Sequence, residues 1–292
     1  MPQAGAWATP EAMRAIAHRA ERLGYHELWT FQRVLYPVGH PMGPTYRSVH
    51  DPLITLAYLA GVTERIRLGV AVVNAFVQPV PLAKQLATLQ TVSGGRLTAG
   101  LGLGWVPEEF EAAGVDQARR GRRGEEFVEV LRKMWGAEVV EHQGEFYRIS
   151  PSYADPKPSP APPPILLGGT AEVALRRAGR LADGWVSSSR EDLSGIAARI
   201  ALVKAAAEAA GRDPEALRFV CRGVTRVRSE PGERRPLTGT LDEIRGDVAW
   251  LAEQGVTDLF HDLNFDPHVV TADPGEALRH AGELLEALAP SA

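Results

Sequence analysis

Helical and strand-like periods alternate along this 292-residue chain from end to end, and that alternation limits the fold more than any other feature. Thr9-Pro10-Glu11 opens a helix with a cap, a first-position proline and an early acid, and Ile16, Ala20 and Leu23 form its apolar face before Gly24. Tyr25 to Thr30 is the next strand. Asp51-Pro52 caps a second helix, and Ile66 to Val73 is a near-continuous apolar strand of the kind covered on both faces. Leu82, Leu86 and Leu89 recur at helical spacing, Gly94-Gly95 stops that helix, and Arg96 to Leu101 is a strand opening into Gly102-Leu103-Gly104-Trp105. A helix over Arg119 to Trp135, a hairpin around Gln143-Gly144 and a stiff proline-rich connector from Pro156 to Pro164 follow. The strand Ile165 to Leu167 then runs into Gly168-Gly169-Thr170 and a helix. Asp183 to Ser187, Leu217 to Val224 and Val256 to Phe260 are the remaining strands. Their helices are capped at Ser189-Arg190-Glu191-Asp192, at Thr240 with Glu243, and at Asp273-Pro274.

The count is eight helices and seven strands, beginning with a helix. Alternation means a parallel sheet, and eight units at this length favour an α/β barrel of (β/α)8 type over a doubly wound sheet. One domain spans 1–292, with insertions at about 31–50, 102–118, 138–163 and 226–239. The first strand is absent and would precede Gln3. If residues 1 to 3 are all that stands before the first helix, the strands Tyr25 to Thr30 and Val256 to Phe260 are left with open edges. The expectation is then that a complete chain begins upstream with a short apolar strand, or that another segment or subunit covers the gap.

Composition narrows the function classes. A net charge of -4 with both signs mixed along the chain indicates no nucleic-acid or membrane surface, and a cytoplasmic protein is expected. The lone Cys221, in the apolar run RFVCRGV, is expected to be a buried, inert thiol. The four lysines, Lys84, Lys133, Lys157 and Lys204, fall on helices or in a loop, which disfavours a Schiff-base lysine at a strand end and with it a phosphate-binding lyase. No histidine pairs with another at ligand spacing, so no metal site is expected.

In such barrels the residues just after each strand form the active site. Here they are Gln32-Arg33, Asn74, Gly102 to Trp105, Gly168-Gly169-Thr170, Ser187-Ser188 and His261-Asp262. A strand ending in glycines lets a ligand or another stretch of backbone come close, so Gly102 to Gly104 is either a ligand mouth or a packing corner. Gly168-Gly169-Thr170 at a helix start offers free N–H groups and a hydroxyl suited to a phosphate, or else a cap with glycines for close packing. Glu108-Glu109 is either an acid or, as paired loop carboxylates more often are, solvated or helix-starting.

The run AKQLATLQTVSGGRLTAGLGLGWVPEEFEAAGV, with GYHELWTFQRVLYPV and TERIRLGVAVV upstream and ILLGGTAEVALRRAGRLADGW downstream, resembles the luciferase-like monooxygenase family. Within it the match is to the oxidoreductases that use the deazaflavin coenzyme F-420. The resemblance covers most of residues 5 to 187. It implies a barrel of the bacterial luciferase type whose first strand lies ahead of PQAG, and a flavin or deazaflavin across the mouth. It implies a cis peptide at Ala71-Val72, cofactor contacts from Gln32, Ala71, Val72, Asn74, Gly102, Gly104, Gly168, Gly169 and Thr170, and a substrate pocket walled by Arg33, Tyr36, Phe76 and Trp105. Gln32-Arg33 stands where many members carry Asp-His, and Trp105 where related sugar-phosphate dehydrogenases have a glutamate. The acid–base role of that histidine therefore does not transfer, and the catalytic residues stay unassigned. The expected activity is hydride transfer between F-420 and a small organic substrate. The alternatives are an FMN-dependent monooxygenase and a cofactor-binding protein without turnover. A homodimer is compatible with the resemblance.

Overall fold

In the computed structural model, which describes residues 1–290 apart from 231, 233 and 271, the alternation becomes a parallel barrel wall. In chain order the elements are α1 (Pro10–Arg22), β1 (Glu27–Thr30), α2 (Pro52–Val62), β2 (Arg67–Asn74), α3 (Pro79–Val92), β3 (Leu97–Gly102), α4 (Pro107–Ala112) and α5 (Arg120–Gly136). There follow β4 (Val139–Gln143), β5 (Arg148–Tyr153), β6 (Ile165–Gly168), α6 (Glu172–Leu181), β7 (Gly184–Val186), α7 (Ile196–Ala209) and β8 (Arg218–Val224). The chain ends with β9 (Arg226–Val227), β10 (Thr238–Gly239), α8 (Leu241–Glu253), β11 (Asp258–Asp262), α9 (Pro267–Val270) and α10 (Pro274–Ala287). Thr9, Asp51 and the Thr240–Glu243 capping box start their helices where the sequence places them.

Seven strands pair in the order β1-β2-β3-β6-β7-β8-β11, all parallel, with β4–β5 and β9–β10 as separate two-stranded ribbons. The count of seven barrel strands thus agrees with the sequence. The last strand does not sit where expected: it is shifted two residues onward, so His261 and Asp262 lie within it and not beyond it. Residues 231 and 233, within the insertion at 226–239, lie outside the described residues. No helix among the described residues is long and apolar enough to cross a membrane.

Residues two apart along each strand point the same way, so the barrel interior is built in tiers. At the amino-terminal end, Arg218 bonds Glu27 and Asp258 at 2.8 and 2.6 Å and Thr98 at 3.1 Å. Above it, Trp29 and Phe260 stack at 5.1 Å among Leu166, Val186 and Val220. Arg222 and Asp262 form the next tier, at the carboxyl end. Outside the wall, the large core of Leu56, Leu68, Leu86, Leu97, Phe127 and Leu131 locks the helices to the sheet.

Between β1 and β11 the wall is open. A cavity of about 740 Å³ runs along Glu27 to Phe31 on one side and Asp258 to Leu263 on the other, beneath Ile16, Leu284 and Leu288 of the flanking helical segments. Joining a short apolar strand in frame ahead of Met1 is expected to raise Tm by several degrees. Both edges would gain backbone partners, and each kcal/mol shifts Tm by roughly 2–4 °C in a domain approaching this size. An unchanged or lowered thermal midpoint would show that the cavity does not accept a strand.

Candidate functional site

The carboxyl-terminal mouth is shaped by an irregularity in β2. Its register against β3 shifts between Val70 and Val73, and the Ala71–Val72 peptide is cis, as the resemblance implies. The bulge turns the Val72 side chain toward two glycines. A Cβ on Gly102 would lie 2.4 Å from Val72 Cγ2 and 2.8 Å from Asn74 Oδ1, and one on Gly168 would lie 3.3 Å from Val72 Cγ1. At both glycines the protein's own chain approaches closely. Gly104 behaves alike: its φ is +76° and the Phe110 and Phe76 rings fill the space beside it. The result is an apolar ledge topped by the half-buried Val72.

Polar groups surround this ledge. Gln32 Oε1 accepts from the Asn74 backbone N–H at 2.9 Å, which leaves the side-chain NH2 groups of Gln32 and Asn74 without partners among the described residues. Arg33 is not free to meet a ligand along its whole length. Its Nη1 is 2.6 Å from Glu109 Oε2, both side chains being almost wholly buried, while Glu109 Oε1 accepts from the Val34 and Leu35 N–H groups. Both acids stand in the first turn of α4, as the helix-starting reading expects; Glu108 is exposed, whereas Glu109 is not solvated and clamps the 31–50 insertion onto α4. The Arg33 guanidinium also lies 5.0 Å from the Trp105 ring, so it holds the indole on one side. Trp105 itself stays 45 % exposed at the mouth. Tyr36 donates to the Met42 carbonyl at 2.6 Å and packs against the cluster of Phe31, Met42 and Tyr46 in the 31–50 insertion, whereas Phe76 is buried edge-on against Phe110 and backs the ledge from behind.

At the end of β6, α6 begins at Glu172 with Ala171 as its cap, so Gly168-Gly169-Thr170 precedes the helix and does not open it. Ala171 makes no side-chain cap, and the N–H groups of Thr170, Ala171 and Glu172 have no partner among the described residues. The carbonyls beside them are used: Gly169 accepts from Trp185 Nε1 and Thr170 from Arg199.

Arg222 was not among the sequence candidates. Its Nε bonds Asp262 Oδ2 at 2.7 Å, its Nη1 reaches the Ala71 carbonyl at 3.5 Å, and its guanidinium lies 5.0 Å from the Phe31 ring. The available signal was two charges four residues apart, Arg218 and Arg222, on the same face of an otherwise apolar strand. Burial alone would push the Asp262 carboxyl up, but Arg222 and two bonds from Asn264 outweigh it and hold it below its ordinary value. His261, facing the other way, has Nδ1 2.9 Å from Thr225 Oγ1, and burial pushes its pKa from 6.5 to about 4. Among the described residues no three His, Cys, Asp or Glu side chains come together as a metal site.

Two outcomes follow from this geometry. Gly102→Ala has to displace Val72 or Asn74 and is expected to cost about 1–3 kcal/mol by overpacking, read from denaturant midpoints; equal stability would contradict the tight seat. His261 is neutral in the fold, so its contribution is complete above its unfolded pKa and is lost as pH falls from 6.5 toward 4. The denaturant midpoint of His261→Gln is therefore expected to fall less than that of the unaltered protein over this interval, and parallel profiles would count against the assignment.

Comparison with known proteins supports the same fold. The family model described as luciferase-like monooxygenase matches residues 1–283. An uncharacterised protein of Mycobacterium tuberculosis is 34% identical over 212 residues, covering 68% of this chain and 74% of that one. The FMNH(2)-dependent dimethylsulfone monooxygenase of Pseudomonas putida is 32% identical over 202 residues, covering 68% of this chain and 54% of its own. The coenzyme F420-dependent tetrahydromethanopterin reductase of Methanopyrus kandleri superposes with a TM-score of 0.73 over 94% of each chain at 16% identity, a likeness of fold alone.

Proposed function

The chain belongs to the luciferase-like monooxygenase family, and from that premise we propose that it is an oxidoreductase moving a hydride between the deazaflavin coenzyme F-420 and a small organic substrate. The observation that carries this reading is the joining, at one end of the barrel, of an apolar ledge with unpartnered donors. Val72 offers a planar ring an apolar surface, and the free amide groups of Gln32 and Asn74 lie at its edge. The N–H groups of Thr170 to Glu172, with the Thr170 hydroxyl, suit the phosphate of the coenzyme's side chain.

When bound, the coenzyme supplies the hydride acceptor or donor, and the protein's part is positioning, exclusion of water and electrostatics. Trp105, steadied by Arg33, walls the substrate side, and Tyr36 and Met42 pack together in the 31–50 insertion. Arg222, fixed by Asp262 against the Ala71 carbonyl, brings a positive charge beneath the ledge and favours an electron-rich ligand there. Glu109 is committed to Arg33 and two backbone groups, so it is not assigned a proton-transfer role. A second reading, an FMN-dependent monooxygenase, is favoured by the 32% identity to the Pseudomonas putida enzyme.

Titration of the purified protein with F-420 and with FMN separates the two, the first being expected to bind more tightly. Gly169 is a poor place to test the phosphate contact, because its φ is +146° and a Cβ there would meet Ala174 at 2.5 Å. Thr170→Asp, at an exposed position, puts a carboxylate among the same N–H groups and is expected to weaken coenzyme binding by about tenfold or more. Unchanged affinity in the folded variant would remove the phosphate from this loop, and tight FMN binding without F-420 binding would replace the leading reading with the second.

A further inference from the structure

Beside the mouth, where β7 and β8 end, lies a separate recess of about 550 Å³ into which Arg190, Arg222, Arg226 and Arg235 converge. We propose that this recess binds the anionic group, a carboxylate or phosphate, of an organic substrate whose remaining part lies along Trp105.

The charge balance of the recess points to an anion. Its two carboxylates are outnumbered by the four guanidinium groups and each already carries a contact, although Glu191 Oε2 is buried without a hydrogen-bond partner among the described residues. Glu191 is buried and paired with Arg199 at 3.3 Å, and Asp192 accepts from the Ser194 N–H and hydroxyl in a turn before α7. Of the four guanidinium groups only Arg222 has a carboxylate partner, while Arg190, Arg226 and Arg235 have none among the described residues. Three cations without a carboxylate partner among the described residues, held around one concavity, repel one another and raise the local potential, which an entering anion relieves. Planar guanidinium forks also match the two oxygens of a carboxylate or phosphate, which a lysine ammonium does not.

The recess is also built in advance. The insertion after β8 folds back as the β9–β10 ribbon, with the Arg226 N–H donating to the Leu237 carbonyl at 3.0 Å and the Thr238 N–H to the Arg235 carbonyl at 3.0 Å. The backbone at both arginines is thereby held over the end of β8, and their exposed side chains line the recess. The Arg190 guanidinium lies 5.4 Å from the Trp105 ring, on which Arg33 also rests, so the recess and the exposed wall of the mouth share a boundary. A ligand with its anion among the arginines can therefore place an apolar portion along the indole and toward the ledge. The loop before α6, proposed above for the coenzyme's phosphate, follows a different strand, which leaves the arginine recess to the substrate.

Assignment of the anion to a substrate rests on the coenzyme reading, whereas the anion site itself does not, and the experiment separates them. Inorganic phosphate is titrated calorimetrically at low ionic strength into coenzyme-free protein, into an Arg226→Ala/Arg235→Ala double variant, and into the corresponding double lysine variant. Binding to the unaltered protein is expected to be saturable, about tenfold or more weaker in the alanine variant and partly restored by lysine. F-420 and FMN affinities of the alanine variant are expected to stay within about twofold of the original, with unchanged circular dichroism and Tm as folding controls. Equal phosphate binding by all three proteins, or no binding to any, overturns the recess as an anion site. A parallel loss of coenzyme affinity overturns its assignment to the substrate and gives it to the coenzyme. Intact phosphate binding in a protein that binds neither coenzyme supports the recess and removes the hydride-transfer reading alone.

Discussion

The mouth of this barrel depends on where one side chain is allowed to go. The bulge in β2 turns Val72 inward, and it fits because β3 and β6 present glycine at 102 and 168, where a Cβ would stand 2.4 and 3.3 Å from its methyl groups. The glycines at 102 and 168 are the sockets that admit the Val72 side chain, and interiors packed to crystal-like density leave little slack for any other arrangement. The Val72 carbonyl in turn accepts from the Gln32 N–H, and the Gln32 side chain holds the Asn74 N–H, so the polar rim is tied to the same bulge.

Beneath the ledge the interior holds two sets of paired charges. Arg218 is bound to Glu27 and Asp258 at one end and Arg222 to Asp262 at the other, with the stacked Trp29 and Phe260 between them. Burial alone would lower the Arg218 pKa, but the two carboxylates outweigh it and hold it above its ordinary value. Such pairs add little net stability over apolar packing, yet leaving one charge without its partner costs about 3–5 kcal/mol, so each arginine is confined to one position. For Arg222 that confinement fixes a cation against the Ala71 carbonyl and in the lining of the arginine recess at once.

Much of this was legible in the sequence because it rests on local rules. Caps at Thr9, Asp51 and Thr240, the positive-φ pair Gly94-Gly95 and the apolar strands placed the wall to within two residues and left seven strands with one gap. What escaped depends on long-range partners. Glu109 was weighed as a loop carboxylate, and only the fold brings Arg33 and two N–H groups to it. Arg222 sits in a run whose apolar neighbours conceal its inward direction, and Asp262 was placed beyond a strand that in fact includes it. The glycines were recognised as close-approach points, but a single strand cannot reveal that the approaching atoms belong to Val72.

The central claim is that Val72 and the rim around it form the seat of a planar coenzyme. A crystal structure of the protein soaked with F-420 tests it most directly. The account predicts the ring lying across Val72 within reach of the Gln32 and Asn74 amides, with its side-chain phosphate at Thr170 to Glu172. A ring bound instead in the cavity between β1 and β11, or a phosphate held by Arg226 and Arg235, would contradict it.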